Sequence, residues 1–315
     1  MEADKLIEKV LNLPDLVKEP PVLIDIGASG EIHPEWKLIA KHSVCIAFDA
    51  DDRDFKNTEA NSGYKQIHLI NAIVSNREEK ETDFYLTASP HCSSSLLPLN
   101  DELSVWSFSN LFQVEKKIKL KNISLPSVLK EKNIQKIDWF KTDSQGTDLR
   151  LFLSMEESIQ KNSIVVQFEP GIINAYKNED KFHSVLSFMD SMPYWAAEIN
   201  IMGSKRISES TLKKYKLDPA TDFNFPNSSC WGEITYFNTF EQKNSNRDLL
   251  LGWVFATIRE QHGFALDILN KANTIEKSIL NELERFTLNA IQPVVTPVTG
   301  KQRIKNKLIN IINKL

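Results

Sequence analysis

Residues 22–49, VLIDIGASGEIHPEWKLIAKHSVCIAFD, constrain this chain more than any other stretch. An apolar strand runs into Asp25-Ile26-Gly27-Ala28-Ser29-Gly30, a short amphipathic stretch follows, and a second apolar strand ends at Asp49. The pattern predicts a βαβ unit with a glycine turn after its first strand and an acid at the tip of its second. Glycine at such a turn lets a ligand lie directly against the backbone, where a Cβ would intrude. A carboxylate about 20 residues beyond the turn can accept hydrogen bonds from both hydroxyls of a ribose. The unit predicts a site for an adenosine-containing cofactor.

The spacing selects among such cofactors. Dinucleotide sites read G-x-G-x-x-G, whereas this string is Asp25-x-Gly27-x-x-Gly30, one glycine short and with an acid ahead of the pair. That carboxylate repels a pyrophosphate and suits a cation, such as the sulfonium and amino group of S-adenosylmethionine. Asp25, Gly27, Ala28 and Gly30 are assigned to the cofactor's methionine end and Asp49 to its ribose. Asn71 and Ala72, near the end of the apolar run Gln66–Val74, are assigned to the adenine. The plain alternatives are an ordinary tight turn, a solvated acid in the DADDRD run, and a polar residue ending a strand.

Composition narrows the class. The 315 residues are 41% hydrophobic and 25% charged, ordinary values for a globular chain with room for one large α/β domain and an appendage. A net charge of −4 gives no bias toward nucleic acid. Cys45, Cys92 and Cys230 lie far apart and read as reduced thiols of a cytoplasmic protein, suggesting neither a disulfide framework nor a zinc site. The first residues, MEADKLIEKVLNLPDLV, carry acids where a signal peptide needs bases. No run approaches the roughly 18 apolar residues that a membrane-spanning helix requires.

Strand-like and helical segments alternate along the chain. A leading helix at 3–17 ends before Pro20-Pro21. Thr82–Thr87 and Lys116–Leu120 read as strands, with the serine-rich loop SPHCSSSLLP between them and a short helix near Ser127–Glu131 after them. Within Ile137–Met155, Asp138–Thr142 is a strand, Asp143-Ser144-Gln145-Gly146 a turn, and Thr147 opens an amphipathic helix. Ser163–Phe168 is a buried strand, Lys181–Met192 a helix, Tyr194–Ile201 a strand, Ser208–Tyr215 a polar helix and Glu233–Phe240 a last strand. Such alternation predicts a mostly parallel sheet covered on both faces. Beyond residue 246 the pattern becomes helical, over Arg247–Arg259, Phe264–Ala272 and Ile275–Leu288, until Pro293 and Pro297 break the chain. The tail Lys301–Leu315 sets Ile304, Leu308, Ile311, Ile312 and Leu315 on one helical side and carries five basic and no acidic side chains. It reads either as a last docked helix or as a surface helix for anionic lipid or a partner.

IDIGASG at 24–30, FDAD at 48–51 and FKTDSQGTDLRLF at 140–152 together resemble the FkbM-type family of S-adenosylmethionine-dependent methyltransferases. Lys141, Asp143, Gly146 and Asp148 fit that family's strand, Lys-x-Asp-x-x-Gly, helix pattern, and the resemblance covers roughly residues 20–240. It departs at Ser144-Gln145, where the family commonly has Val-Glu. The resemblance implies a Rossmann-like α/β sheet of seven strands with the last antiparallel. It also implies methyl transfer to an oxygen, often on a sugar, glycolipid or natural product. The organisation expected is a helix at 1–20, a methyltransferase domain at 21–240 and a helical C-terminal region at 241–315. That last region serves as a homodimer contact, a lid or a separate domain.

Ligands in open α/β sheets bind outside the carboxyl ends of the strands. Asp143 is the expected base or orienting acceptor beside the transferred methyl, with a helix cap as its plain alternative. His91 is the second base candidate, and Ser94, with its neighbours Ser93 and Ser95, a partner for the cofactor carboxylate. Two other readings stay open: a nicotinamide-dependent oxidoreductase, and a non-catalytic cofactor-binding scaffold that kept the fold.

Overall fold

The computed structural model describes residues 2–27, 33–50, 63–218, 225–242, 245–272 and 274–292. Ala28, Gly30 and the tail 301–315 lie outside the described residues. The strands are β1 (Val22–Ile26), β2 (Val44–Asp49), β3 (Gln66–Asn71), β4 (Ile73–Ser75), β5 (Glu81–Thr87), β6 (Val114–Ser124), β7 (Trp139–Thr142), β8 (Val165–Phe168), β9 (Tyr194–Ser204) and β10 (Ser228–Asn238). The helices are α1 (Glu2–Leu11), α2 (Pro14–Lys18), α3 (Asn100–Leu103), α4 (Leu125–Glu131), α5 (Asp148–Leu153), α6 (Glu157–Asn162), α7 (Phe182–Met189), α8 (Glu209–Tyr215), α9 (Asn246–Ile258), α10 (His262–Lys271) and α11 (Lys277–Ile291).

A seven-stranded sheet runs β3-β2-β1-β7-β8-β10-β9. Its pairings are parallel from β3 to β8, and β10 lies antiparallel to both of its neighbours. Alternate residues of the central strands feed opposite faces, so both faces are buried and the strands read as apolar runs. Leu23, Cys45, Ala47, Trp139, Val165 and Phe237 pack on one side with α1, α9 and α10. Ile24, Ile46, Phe48, Phe140, Val166 and Phe168 pack on the other with α4, α5 and α7. Chain order reverses between β1 and β7, whose paired tips open a crevice there.

Three segments differ from the sequence expectation. The leading helix divides, because Pro14 starts a new turn at the head of α2. Between β1 and β2 the described residues form two 3-10 turns, Pro34–Leu38 and Ala40–His42, in place of an α-helix. Trp36 of the first turn is fully buried, with its ring edge-on to Trp139. The run Gln66–Val74 is two strands. At Ala72, whose N–H donates to the Ile70 carbonyl, the chain leaves the main sheet, and β4 joins a second sheet ordered β4-β6-β5.

After β10 the chain returns across the first face. In α9, Leu249 to Thr257 are all buried, the signature of a helix enclosed on every side. Arg247 in its first turn holds Asp138, ahead of β7, through a two-pronged ion pair of 2.6 and 2.7 Å, and also donates to the Glu19 and Pro20 carbonyls. Asp138 accepts the Val22 N–H as well, so one buried pair ties β1, β7 and α9 together. Among the described residues no helix is long and apolar enough to cross a membrane.

Candidate functional site

Both sequence segments meet at the crevice. Gly27, at the tip of β1, has φ +82, and a Cβ there would stand 2.1 Å from the Asp143 carbonyl oxygen. Its N–H donates to the Phe48 carbonyl, while the Asp143 N–H donates to the Ile26 carbonyl. Only glycine permits this approach of the two strand tips.

A cleft opens at this junction, with Gly27, Asp49, Ala72, His91 and Asp143 on its wall. Ile26, Phe48, Ile73, Val74 and Phe84 supply an apolar floor, and Ser93 and Ser95 supply hydroxyls. Counting the space open to solvent, it encloses about 740 Å³. A second, larger cavity of about 1220 Å³ on the same measure lies on the far side of Asp143. Phe108, Phe112, Trp231, Glu169, Glu179 and Glu233 line it. His91, Asp143 and Gln145 line both cavities and form their common boundary among the described residues.

Hydrogen bonds fix that partition. Gln145, in the left-handed region at φ 55, donates from Nε2 to Asp143 Oδ1 at 2.6 Å. Its Oε1 accepts from the Tyr176 hydroxyl at 3.0 Å, and its carbonyl accepts from Ser94 Oγ at 2.8 Å. Ser144 braces the turn ahead of α5: its Oγ accepts the Thr147 N–H, and its own N–H and Oγ donate to Asp148 Oδ1. No side chain caps α5 at Thr147, Asp143 included, and Asp143 lines both cavities.

The electrostatics are lopsided. Burial and then Asp143 push the Glu169 carboxyl up to about 9, against the pull of Lys141. Burial likewise lifts Glu233 and takes Asp148 to about 6. Lys141 is mostly buried, which disfavours its charge, yet Asp25, Asp143 and Glu169 hold it firmly as an ammonium. Its Nζ stands 3.0 Å from Asp25 Oδ1.

The family match extends over residues 38–195, half of the chain, and is to the Methyltransferase FkbM domain. The chain belongs to the FkbM methyltransferase domain family. No protein with a curated description matches it. A solved structure, of an uncharacterized protein from Listeria monocytogenes serotype 4b, is 10% identical. It covers 91% of this chain and 99% of its own at a TM-score of 0.30.

The match spans β2 to the start of β9, a narrower reach than residues 20–240, and contains most of both cavities. Of the residues expected at the FkbM domain's site, Gly27, Asp49, Ala72, His91 and Asp143 line the first cleft together. Asp25 is fully buried behind it, engaged by Lys141 and by the His33 N–H. Asn71 is exposed and donates to the Asp49 carbonyl, while Ser94 is buried, clamping the Gln145 turn. Tyr176, Glu179 and Glu233 were not singled out from the sequence. They come from segments that carry no motif, and only the folded chain brings them to the cavity wall.

Proposed function

We propose that this chain transfers a methyl group from S-adenosylmethionine to a hydroxyl of a sugar, glycan, glycolipid or natural-product acceptor. The observation that carries this reading is the pair of cavities that share His91, Asp143 and Gln145 in their lining among the described residues. A group-transfer reaction needs two bound molecules with their reacting atoms facing each other across a short gap. The first cleft fits the methyl donor in its donor set. Asp49, at the tip of β2, suits a ribose diol, the Ile26, Phe48, Ala72 and Val74 floor suits an adenine, and Ser93 and Ser95 suit a carboxylate. When bound, S-adenosylmethionine supplies an electrophilic methyl group.

The remaining work belongs to the protein. Asp143 receives the acceptor's hydroxyl proton at the oxygen that Gln145 does not hold, and Tyr176 keeps Gln145 oriented for that task. Gly27 lets the β1 tip pass under the ligand without obstruction. His91, exposed at the rim of both cavities, is the second proton acceptor.

Calorimetry with S-adenosylmethionine and S-adenosylhomocysteine tests the donor site, with binding expected for both and lost in Asp49→Ala. Labelled methyl should then appear on an oxygen of a hydroxylated acceptor. Absence of heat with either compound refutes the reading, as does saturable NADH binding that S-adenosylmethionine does not displace.

A further inference from the structure

We propose that the second cavity receives a ring-bearing acceptor that carries a protonated amine, held against Glu169 and Glu233, with its reactive hydroxyl toward Asp143. This rests on the methyl-transfer reading and adds the charge and shape of the acceptor. Four carboxylates, Asp143, Glu169, Glu179 and Glu233, reach the wall of this cavity, and no lysine or arginine does so among its described residues. Two of the four already have partners. Glu179 accepts from Lys181 Nζ and the Ala175 N–H, each at 2.8 Å, and Asp143 accepts from Gln145.

Glu169 and Glu233 have no ion pair within bonding distance among the described residues. Lys141 draws both down but is engaged with Asp25, and Arg259, which also draws Glu233 down, is engaged with Glu35 and Glu198. Asp143, Glu233 and Asp148 surround Glu169 with like charge, which together with burial favours its protonated form. Among the described residues no three His, Cys, Asp or Glu side chains are grouped to hold a metal ion.

The rest of the lining suits the remainder of such a molecule. Phe108, Phe112 and Trp231 line the same cavity, and aromatic rings hold the C–H face of a sugar or a flat apolar ring and also attract an ammonium. A phosphorylated or carboxylated acceptor would meet four acids with no cation opposite, and is disfavoured. An amine bound here draws Glu169 back to its ionised form, so the charges close on the ligand.

The test uses the full chain saturated with S-adenosylhomocysteine and a matched set of 4-nitrophenyl hexosides. These carry an amino, acetamido or hydroxyl group at one ring position, with a uronate as the fourth member. Calorimetry should show the amine binding at least about tenfold more tightly than the acetamide, with the uronate weakest. Glu233→Gln, near-isosteric and off the first cleft, should shrink that preference while S-adenosylhomocysteine still binds. Equal affinity for amine and acetamide overturns the proposal, as does a preference that survives Glu233→Gln. So does a failure of every hexoside to bind protein that holds S-adenosylhomocysteine. If wild-type protein shows the amine preference but binds no S-adenosylhomocysteine, the methyl-donor reading falls and only the charge selectivity of the cavity stands.

Discussion

At the tips of β1 and β7, Gly27 and Asp143 are fitted so closely that neither side can give. Gly27→Ala adds a methyl group 2.1 Å from a backbone oxygen at a φ that alanine avoids. It should cost about 1–3 kcal/mol in chemical denaturation and weaken binding in the first cleft. Asp143→Asn keeps the shape and removes the proton acceptor, so turnover should drop about 10²–10⁴-fold with little change in cofactor affinity by calorimetry. Glu169 gives a pH signature. Its carboxyl titrates near the ordinary 4.5 when unfolded and at about 9 when folded, so the native state binds the extra proton between those values. Its contribution to stability is complete below about 4.5 and is lost as pH rises through about 9. Thermal melts of the wild type should decline over that window, and Glu169→Gln should flatten the decline. At this scale Gly27, Asp49 and Asp143 were legible because a turn and two strand tips carry local signals. The Asp25–Lys141 pair was not, since the same acid that reads as a ligand contact is consumed by a cross-strand neighbour.

Among the elements, α9 is the one whose loss the others could least absorb. Arg247→Met leaves Asp138 buried without its counter-charge and should cost about 3–5 kcal/mol, read as a lower urea midpoint with an unchanged slope. The periodicity that foretold α9 could not foretell this pair, because Asp138 and Arg247 are brought together only by the return of the chain across the sheet. The same limit explains Gln66–Val74. Nine residues of apolar run look like one buried strand, and nothing in their pattern marks Ala72 as the place where the hydrogen bonds change sheets.

For the whole molecule, the helices after residue 245 complete the same core as α1 and the sheet. Truncation after residue 242 would uncover Leu23, Trp139, Val165 and Phe237 on one face. The product should lack a cooperative thermal transition by circular dichroism and should aggregate. The alternation of strands and helices made the layered α/β arrangement readable in advance, because both faces of a parallel sheet must be covered. The second cavity was not readable. Its wall is drawn from residues as far apart as Ser89 and Glu233, and apart from Asp143, Gln145 and Gly146 they belong to no common motif.

Three side chains, His91, Asp143 and Gln145, serve two chambers at once. Whatever settles on one side reshapes the boundary felt on the other, and thermodynamic reciprocity makes the effect mutual. If a donor product tightens an acceptor by some factor, the acceptor tightens that product by the same factor. Paired titrations in either order should return equal ratios of dissociation constants, and Gln145→Ala, by loosening the common wall, should bring those ratios toward unity.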